Sequence, residues 1–310
     1  MILSHLSEAI GCTPLVCLSG FAAAQGLGAE IAAKCEFFNP LSSAKDRAAL
    51  YMIRGAMERG ELRPGMIIVE PTSGNTGVGL AYIAKRFGFP VVLTMPESMS
   101  IERRKLLHAL GAELVLTDAK QGMAGAVEVA QHIAQTRGGY IPDQFSNPDN
   151  ARAHYETTGP EIWRDCMASG WHPAAFVATF GTGGTISGVG RYLKQQDPGI
   201  RVVAVEPEDS PLLSQGRTGA HKIQGIGANF IPGLLDRGVI DQVETAGTEE
   251  SYAAARLAAR EDGIFAGISS GAALAAAARL ARTPEFSGKQ ILTLLPDTGE
   301  RYLSTELYEV

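Results

Sequence analysis

Along the chain, short runs of apolar and β-branched residues alternate with longer stretches in which apolar residues recur every three to four positions. The first pattern predicts buried strands and the second predicts helices packed on them. Ile31 to Phe37 reads as a strand leading into an amphipathic helix. Ala48, Ala49, Leu50 and Met52 carry the helix's apolar face, and Gly60 stops it after about Arg59. Strands follow over Met66 to Glu70, Pro90 to Met95 and Glu113 to Thr117, alternating with helices over Val78 to Phe87, Ser100 to Leu110 and Gln121 to Arg137. Beyond Gly138 and Gly139 the pattern loosens. It resumes with strands over Ala174 to Thr179, Val202 to Glu206 and Gln290 to Leu295. Helices are expected over Ile186 to Lys194, Ser251 to Glu261 and the alanine-rich Ser269 to Arg282. From Pro207 to about Val243 periodicity is weak, and a loop of that length is usually functional.

This alternation implies βαβ units, hence parallel sheets with helices on both faces. The expected fold class is α/β, with two domains, each a mainly parallel twisted sheet flanked by helices, and a break near residue 145. Ligands in such sheets bind outside the carboxyl ends of the strands. We therefore expect a site in a cleft between the domains.

Composition narrows the function classes. The chain has 310 residues, 45% apolar and 19% charged, enough for a substantial core. The net charge of −6 and the lack of a basic run argue against nucleic acid or an anionic membrane as partner. No apolar run approaches membrane-spanning length, and MILSHLSEAIGCTPL has no signal-peptide pattern, so a cytoplasmic location is expected. Cys12, Cys17, Cys35 and Cys166 form no C-x-x-C pair and have no histidines at zinc spacing; reduced thiols and no metal site are expected.

The chemistry collects in four stretches. In FNPLSSAKDRAAL, Lys45 stands in the first turn of a helix that Ser42 or Ser43 can cap, with Asp46 completing a capping box. A cation there opposes the helix dipole, which favours the neutral amine and suits a Schiff-base lysine; a snorkelling surface lysine is the plainer alternative. Gly181 to Thr185, GTGGT, lies between a strand and a helix and can form a phosphate-binding nest of backbone amides. It lacks the spacing of a dinucleotide fingerprint or a P-loop.

SGNTG at 73–77 has the same strand–loop–helix setting. With the hydroxyls of Thr72, Ser73 and Thr76 it suits a carboxylate, and Asn75 could donate to a phenolate. Its plainer reading is a capped turn. ISSGA at 268–272 opens the alanine-rich helix, where either serine can cap and a hydroxyl can bond a neutral pyridine nitrogen. Lysine, phosphate nest, carboxylate loop and neutral hydroxyl together describe a pyridoxal-phosphate site.

Motifs spread over nearly the whole chain resemble the cysteine synthase (O-acetylserine sulfhydrylase) family of fold-type II pyridoxal-phosphate enzymes, which are tryptophan synthase β-like. They include GCTPLV at 11–16, FNPLSSAKDR at 38–47, EPTSGNTGVGLA at 70–81, QFSNPDN at 144–150, HKIQGIGANFIP at 221–232, GISSGAA at 267–273 and LPDTGERYLST at 295–305. The resemblance implies Lys45 as Schiff base and general acid/base. It implies cofactor contacts from Asn75, Gly181, Thr182, Gly183, Gly184, Thr185 and Ser269. It further implies substrate-carboxylate contacts from Thr72, Ser73, Thr76 and Gln144. The chain has Leu41-Ser42-Ser43 where many relatives have glycines, and Asn229 where glycine is common.

The implied reaction makes L-cysteine from O-acetyl-L-serine and sulfide by β-replacement, through an external aldimine and an α-aminoacrylate. Cystathionine β-synthase or O-phosphoserine sulfhydrylase chemistry are siblings, and a regulatory role as binding partner of serine acetyltransferase, through that enzyme's C-terminal peptide, is an alternative of another class. A cytoplasmic homodimer is implied. So is a smaller mobile domain over 35–145 with 1–12, carrying Lys45, and a larger domain over 146–310 with 13–34, carrying the phosphate loop and Ser269.

Overall fold

In the computed structural model, residues 2–309 are described. In chain order these form β1 (Leu15–Cys17), α1 (Ser19–Ala24), β2 (Glu30–Cys35), α2 (Lys45–Glu58), β3 (Ile67–Pro71), α3 (Asn75–Arg86), β4 (Val91–Pro96), α4 (Ile101–Ala109), β5 (Glu113–Thr117), α5 (Gly122–Arg137) and β6 (Gly139–Tyr140). The chain continues through α6 (Pro148–Ala153), a π-helical turn over His154–Thr158, α7 (Gly159–Ala168), β7 (Pro173–Thr179), α8 (Gly184–Gln196) and β8 (Arg201–Pro207). It ends with α9 (Leu212–Gln215), β9 (Gln242–Ala246), α10 (Thr248–Asp262), α11 (Ile268–Ala281) and β10 (Gln290–Leu295), besides short 3-10 turns.

Two compact units result, residues 1–10 with 45–150 and residues 11–44 with 151–310. Residues 11–12 and 35–44 thus lie in the larger unit and 146–150 in the smaller one, against the bounds expected from sequence. For 35–44 the reason is local pairing: Ala44 N–H donates to the Pro296 carbonyl at 2.8 Å and Thr298 N–H to the Ser42 carbonyl at 3.3 Å.

The smaller unit is built on a parallel sheet in the order β5-β4-β3-β6. Ile67, Val69, Val92 and Ala130 form a core cluster on one face, with Val115, Ile133, Ala134 and Ile141 packed around them. Helices α2 and α3 pack on each other, burying Met52, Ile53, Leu80 and Ile83. The larger unit holds a sheet in the order β1-β2-β10-β7-β8-β9, parallel except for the antiparallel β1. Helix α11 lies against this sheet and against α10, and every residue from Ile268 to Ala278 is buried. Alanine explains it: a helix without bulky side chains can be covered on all sides. These parallel sheets agree with the α/β expectation.

The structure adds elements that the weak periodicity concealed. Strand β9 closes one sheet edge, beginning at the end of the stretch that reads as loop and continuing just beyond it, and α6 with α7 occupies the stretch after residue 147. Helix α3 starts at Asn75, so three of the five residues of the SGNTG motif are helical.

Candidate active site

In the smaller unit, β3 passes into α3 through Thr72–Gly74. Thr72 N–H donates to the Thr94 carbonyl at 3.1 Å, extending the sheet pairing one residue past the strand. Its Oγ1 accepts from Gly74 N–H at 3.3 Å. The N-cap is Gly74, with no side-chain cap bond, so the positive end of α3 is not neutralised by a capping side chain. Thr76 Oγ1 donates to Gln144 Oε1 at 2.6 Å. Thr72, Ser73, Asn75, Thr76 and Gln144 therefore gather at one helix end, an arrangement of amides and hydroxyls suited to a carboxylate.

Gln144 is held from three sides. Its backbone N–H donates to Glu70 Oε1 at 3.3 Å, its carbonyl accepts from Asn150 Nδ2 at 2.8 Å, and its side chain accepts from Thr76. Glu70 Oε2 also accepts from Asp143 N–H at 3.1 Å, a residue in the left-handed region at φ 50°. Burial pushes the Glu70 carboxyl up to about 7; the two N–H donors oppose that rise and the Asp143 charge adds to it.

Lys45 is the first residue of α2. A Cβ on Gly79 of α3 would lie 2.9 Å from Ala49 Cβ and 3.0 Å from the Lys45 carbonyl oxygen. Glycine at that position therefore lets the first turn of α2 close onto α3, one helical turn beyond Asn75. Ser42 has φ 56° and Ser43 is bridged to Asp297, so the helix begins later than the capping reading placed it.

In the larger unit, β7 leads through Gly181–Gly183 into α8. The N-cap Gly183 has φ 86° and no side-chain cap bond. A Cβ on Gly181 would lie 2.3 Å from the Gly225 carbonyl oxygen, and one on Gly183 2.9 Å from Leu235 Cα. Both glycines are thus required by close backbone approach. Thr182 is buried, and the Thr185 hydroxyl meets Nε2 of the buried His154 at 3.2 Å. The other ring nitrogen of His154 meets Thr158 Oγ1 at 2.9 Å.

Ser269 lies in the first turn of α11, whose N-cap is Gly267. By sequence either serine can cap the helix; neither does. The Ser269 hydroxyl lies 3.6 Å from the place a Gly225 Cβ would take. Gly225 thus packs against Gly181 and lies near Ser269. An open helix N-terminus with glycine amides and a nearby neutral hydroxyl fits a phosphorylated pyridine, and a Cβ at Gly181 would intrude on that cradle.

Four contributors escaped the sequence reading. Glu70 is a lone charge in an apolar strand, a signal that could have been used. Gly225 sits in a glycine-rich run of weak periodicity. His154 and Arg103, whose Nη1 donates to the Ser73 carbonyl at 3.1 Å, carry no local signal. Among the described residues no cluster suits a metal ion.

The model of the family described as pyridoxal-phosphate dependent enzyme matches residues 6–297. A curated cysteine synthase of Staphylococcus aureus is 48% identical over 304 residues, covering 98% of this chain and 96% of that protein. The solved structure of O-acetylserine sulfhydrylase isoform 3 from Entamoeba histolytica superposes with TM-score 0.95 at 42% identity, covering 100% of this chain and 92% of that one. An O-acetylserine-dependent cystathionine β-synthase from Helicobacter pylori gives TM-score 0.90 at 40% identity, with both chains fully covered at 100%. The family match spans both the loop at the start of α3 and the nest at the start of α8, and the chain belongs to the pyridoxal-phosphate dependent enzymes.

Proposed function

We propose that the protein is a cysteine synthase, making L-cysteine and acetate from O-acetyl-L-serine and sulfide. The observation that carries this reading is the loop at the start of α3, closed by the Thr76–Gln144 hydrogen bond, which suits an amino-acid carboxylate. The identity to a cysteine synthase over almost the whole chain supports the choice of donor and nucleophile.

Pyridoxal phosphate, when bound, supplies an aldehyde that condenses with amines and a ring that withdraws electrons from the amino-acid Cα. Gly181, Thr182, Gly183, Gly184 and Thr185 would hold its phosphate, Asn75 its 3′-oxygen and Ser269 its ring nitrogen. A serine there donates a neutral hydrogen bond and leaves the ring a moderate electron sink, which suits elimination at Cβ. Lys45 would hold the aldehyde, and its free amine would serve as the base that takes the Cα proton. Thr72, Ser73, Thr76 and Gln144 hold the substrate carboxylate meanwhile. Acetate departs from Cβ with its bonding electrons, hydrosulfide forms the new C–S bond there, and the Lys45 ammonium returns the proton to Cα. Two half-reactions of this kind give ping-pong kinetics.

A second reading keeps the donor and changes the thiol, as in the Helicobacter pylori neighbour. A third changes the leaving group to phosphate, and the placement of Arg103 against the substrate loop favours including it. The homodimer, the cytoplasmic location and the docking of a serine acetyltransferase C-terminal peptide rest on the family resemblance. Among the described residues, no helix is long and apolar enough to cross a membrane.

The test is a spectroscopic titration of the yellow holoenzyme with O-acetyl-L-serine, O-phospho-L-serine and L-serine in separate runs, followed by sulfide or homocysteine. O-acetyl-L-serine should shift the absorption and sulfide should restore it with release of cysteine. A protein that binds no pyridoxal phosphate, or makes no cysteine from this pair, overturns the proposal.

A further inference from the structure

We infer that Glu70 is a positioning residue for the amino-acid donor, acting through the peptide groups of Asp143 and Gln144 to hold the Gln144 side chain against Thr76. The inference rests on the reading of Gln144 as a substrate-carboxylate contact. Three relationships carry it. Glu70 ends the buried part of β3, and both its oxygens face one short turn rather than a cation. Asp143, at φ 50° in a left-handed region that aspartate tolerates, forms a tight turn in which its own N–H and that of Gln144 both meet the one carboxylate. Gln144 is then fixed at its carbonyl by Asn150 and at its side chain by Thr76, so that its amide orientation is set before substrate arrives.

An apolar residue at this position would leave the N–H groups of Asp143 and Gln144 without these acceptors. Burying a carboxylate there is costly, and two backbone donors offset only part of that cost. What the carboxylate adds is two acceptors directed at adjacent peptide groups, which no apolar side chain and no single amide oxygen can match. Among the described residues Asp143 is the charge bearing on Glu70; it lies exposed on the same turn and favours the protonated form. Protonation converts one carboxylate oxygen to a hydroxyl, and one of the two N–H donors loses its acceptor. Donor binding should therefore weaken as pH falls through about 7.

The test compares Glu70→Gln, Gln144→Ala and the double variant, each as holoenzyme, with O-acetyl-L-serine as donor. Glu70→Gln should raise KM for the donor about tenfold with kcat nearly unchanged, the size expected for one misdirected hydrogen bond to a charged group. KM should rise toward acid in the wild type but stay flat in Glu70→Gln. The double variant should be no worse than Gln144→Ala, because the two act through one contact. If Gln144→Ala raises KM and Glu70→Gln does not, the positioning role is overturned while the site reading stands. If neither moves KM, the assignment of Gln144 itself is overturned. A Glu70→Gln protein that loses kcat, cofactor and thermal stability together overturns positioning in favour of a structural role. Should Glu70→Gln not fold, Glu70→Asp, which keeps the charge and withdraws it by one methylene, must raise KM while keeping the acid dependence, and a flat KM overturns the role.

Discussion

Gly181 stands so close to Gly225 that a Cβ on the first would lie 2.3 Å from the carbonyl oxygen of the second. That contact joins the proposed phosphate nest to the segment that lies near Ser269. Gly181→Ala should push the two backbones apart, at a cost of about 1–3 kcal/mol. We expect its affinity for pyridoxal phosphate to fall by tenfold or more in an absorbance titration. Gly28→Ala is the control, since a Cβ there meets its nearest atom at 3.5 Å; equal losses in both variants would sink the cradle.

Ser269 is buried, neutral and placed beside Gly225. Removing one neutral hydrogen bond costs about 0.5–1.5 kcal/mol. Ser269→Ala should retain the cofactor and lose roughly two- to tenfold in kcat for cysteine formation. A loss of several orders of magnitude would mean that the hydroxyl does more than bond the ring nitrogen.

Lys45→Ala should remove both the anchor and the base. The variant should bind pyridoxal phosphate only reversibly, lose the absorption of the lysine-bound cofactor and make no cysteine. Retained turnover with O-acetyl-L-serine would assign the base to another residue.

The buried Glu70 carboxyl also sets a sign for stability against pH. Folded, it holds its proton to about 7, against an ordinary value of 4.5. Between those limits the folded chain binds more protons than the unfolded one. Stability therefore falls as pH rises through that window, by about 3 kcal/mol in all. Urea unfolding of wild type and Glu70→Gln at about pH 5 and about pH 8 reads the effect. The wild type should lose stability relative to the variant at the higher pH, and a constant difference would contradict the assignment.

Ser42 and Asn229 adopt φ 56° and φ 61°, at places where the family resemblance leads to an expectation of glycine. A left-handed serine costs about 1–2 kcal/mol, whereas asparagine tolerates that region. Glycine relieves the strain but restores about 0.4–1 kcal/mol of unfolded-state entropy. Ser42→Gly should thus stabilise by up to about 1 kcal/mol, and Asn229→Gly should be nearly neutral, as thermal melts of both can establish.

Periodicity made most of the fold legible because strands such as β7 and β8 carry uninterrupted apolar runs, Ala174 to Ala178 and Val202 to Val205, and α2 and α8 have clear faces. It failed where partners lie far along the chain. Strand β9 escapes notice because its first four residues, Gln242 to Thr245, are only half-buried and its pairing is with β8. The start of α3 was hidden because Asn75, Thr76 and Gly77 are poor helix formers, kept helical by packing. In the site, glycines and hydroxyls announced themselves through motif spacing. His154 and Arg103 did not, since their roles depend on which atom they meet, Thr185 Oγ1 and the Ser73 carbonyl, and not on local pattern.

The alanine helix α11 has a consequence for how such an enzyme can change. Packed on all sides with almost no side-chain volume to rearrange, it has neither space to slide nor bulk to trim. Ser269 rides on its first turn as on a surveyor's fixed mark. The electronic character of the ring partner can be altered by replacing that residue, and hardly at all by moving it.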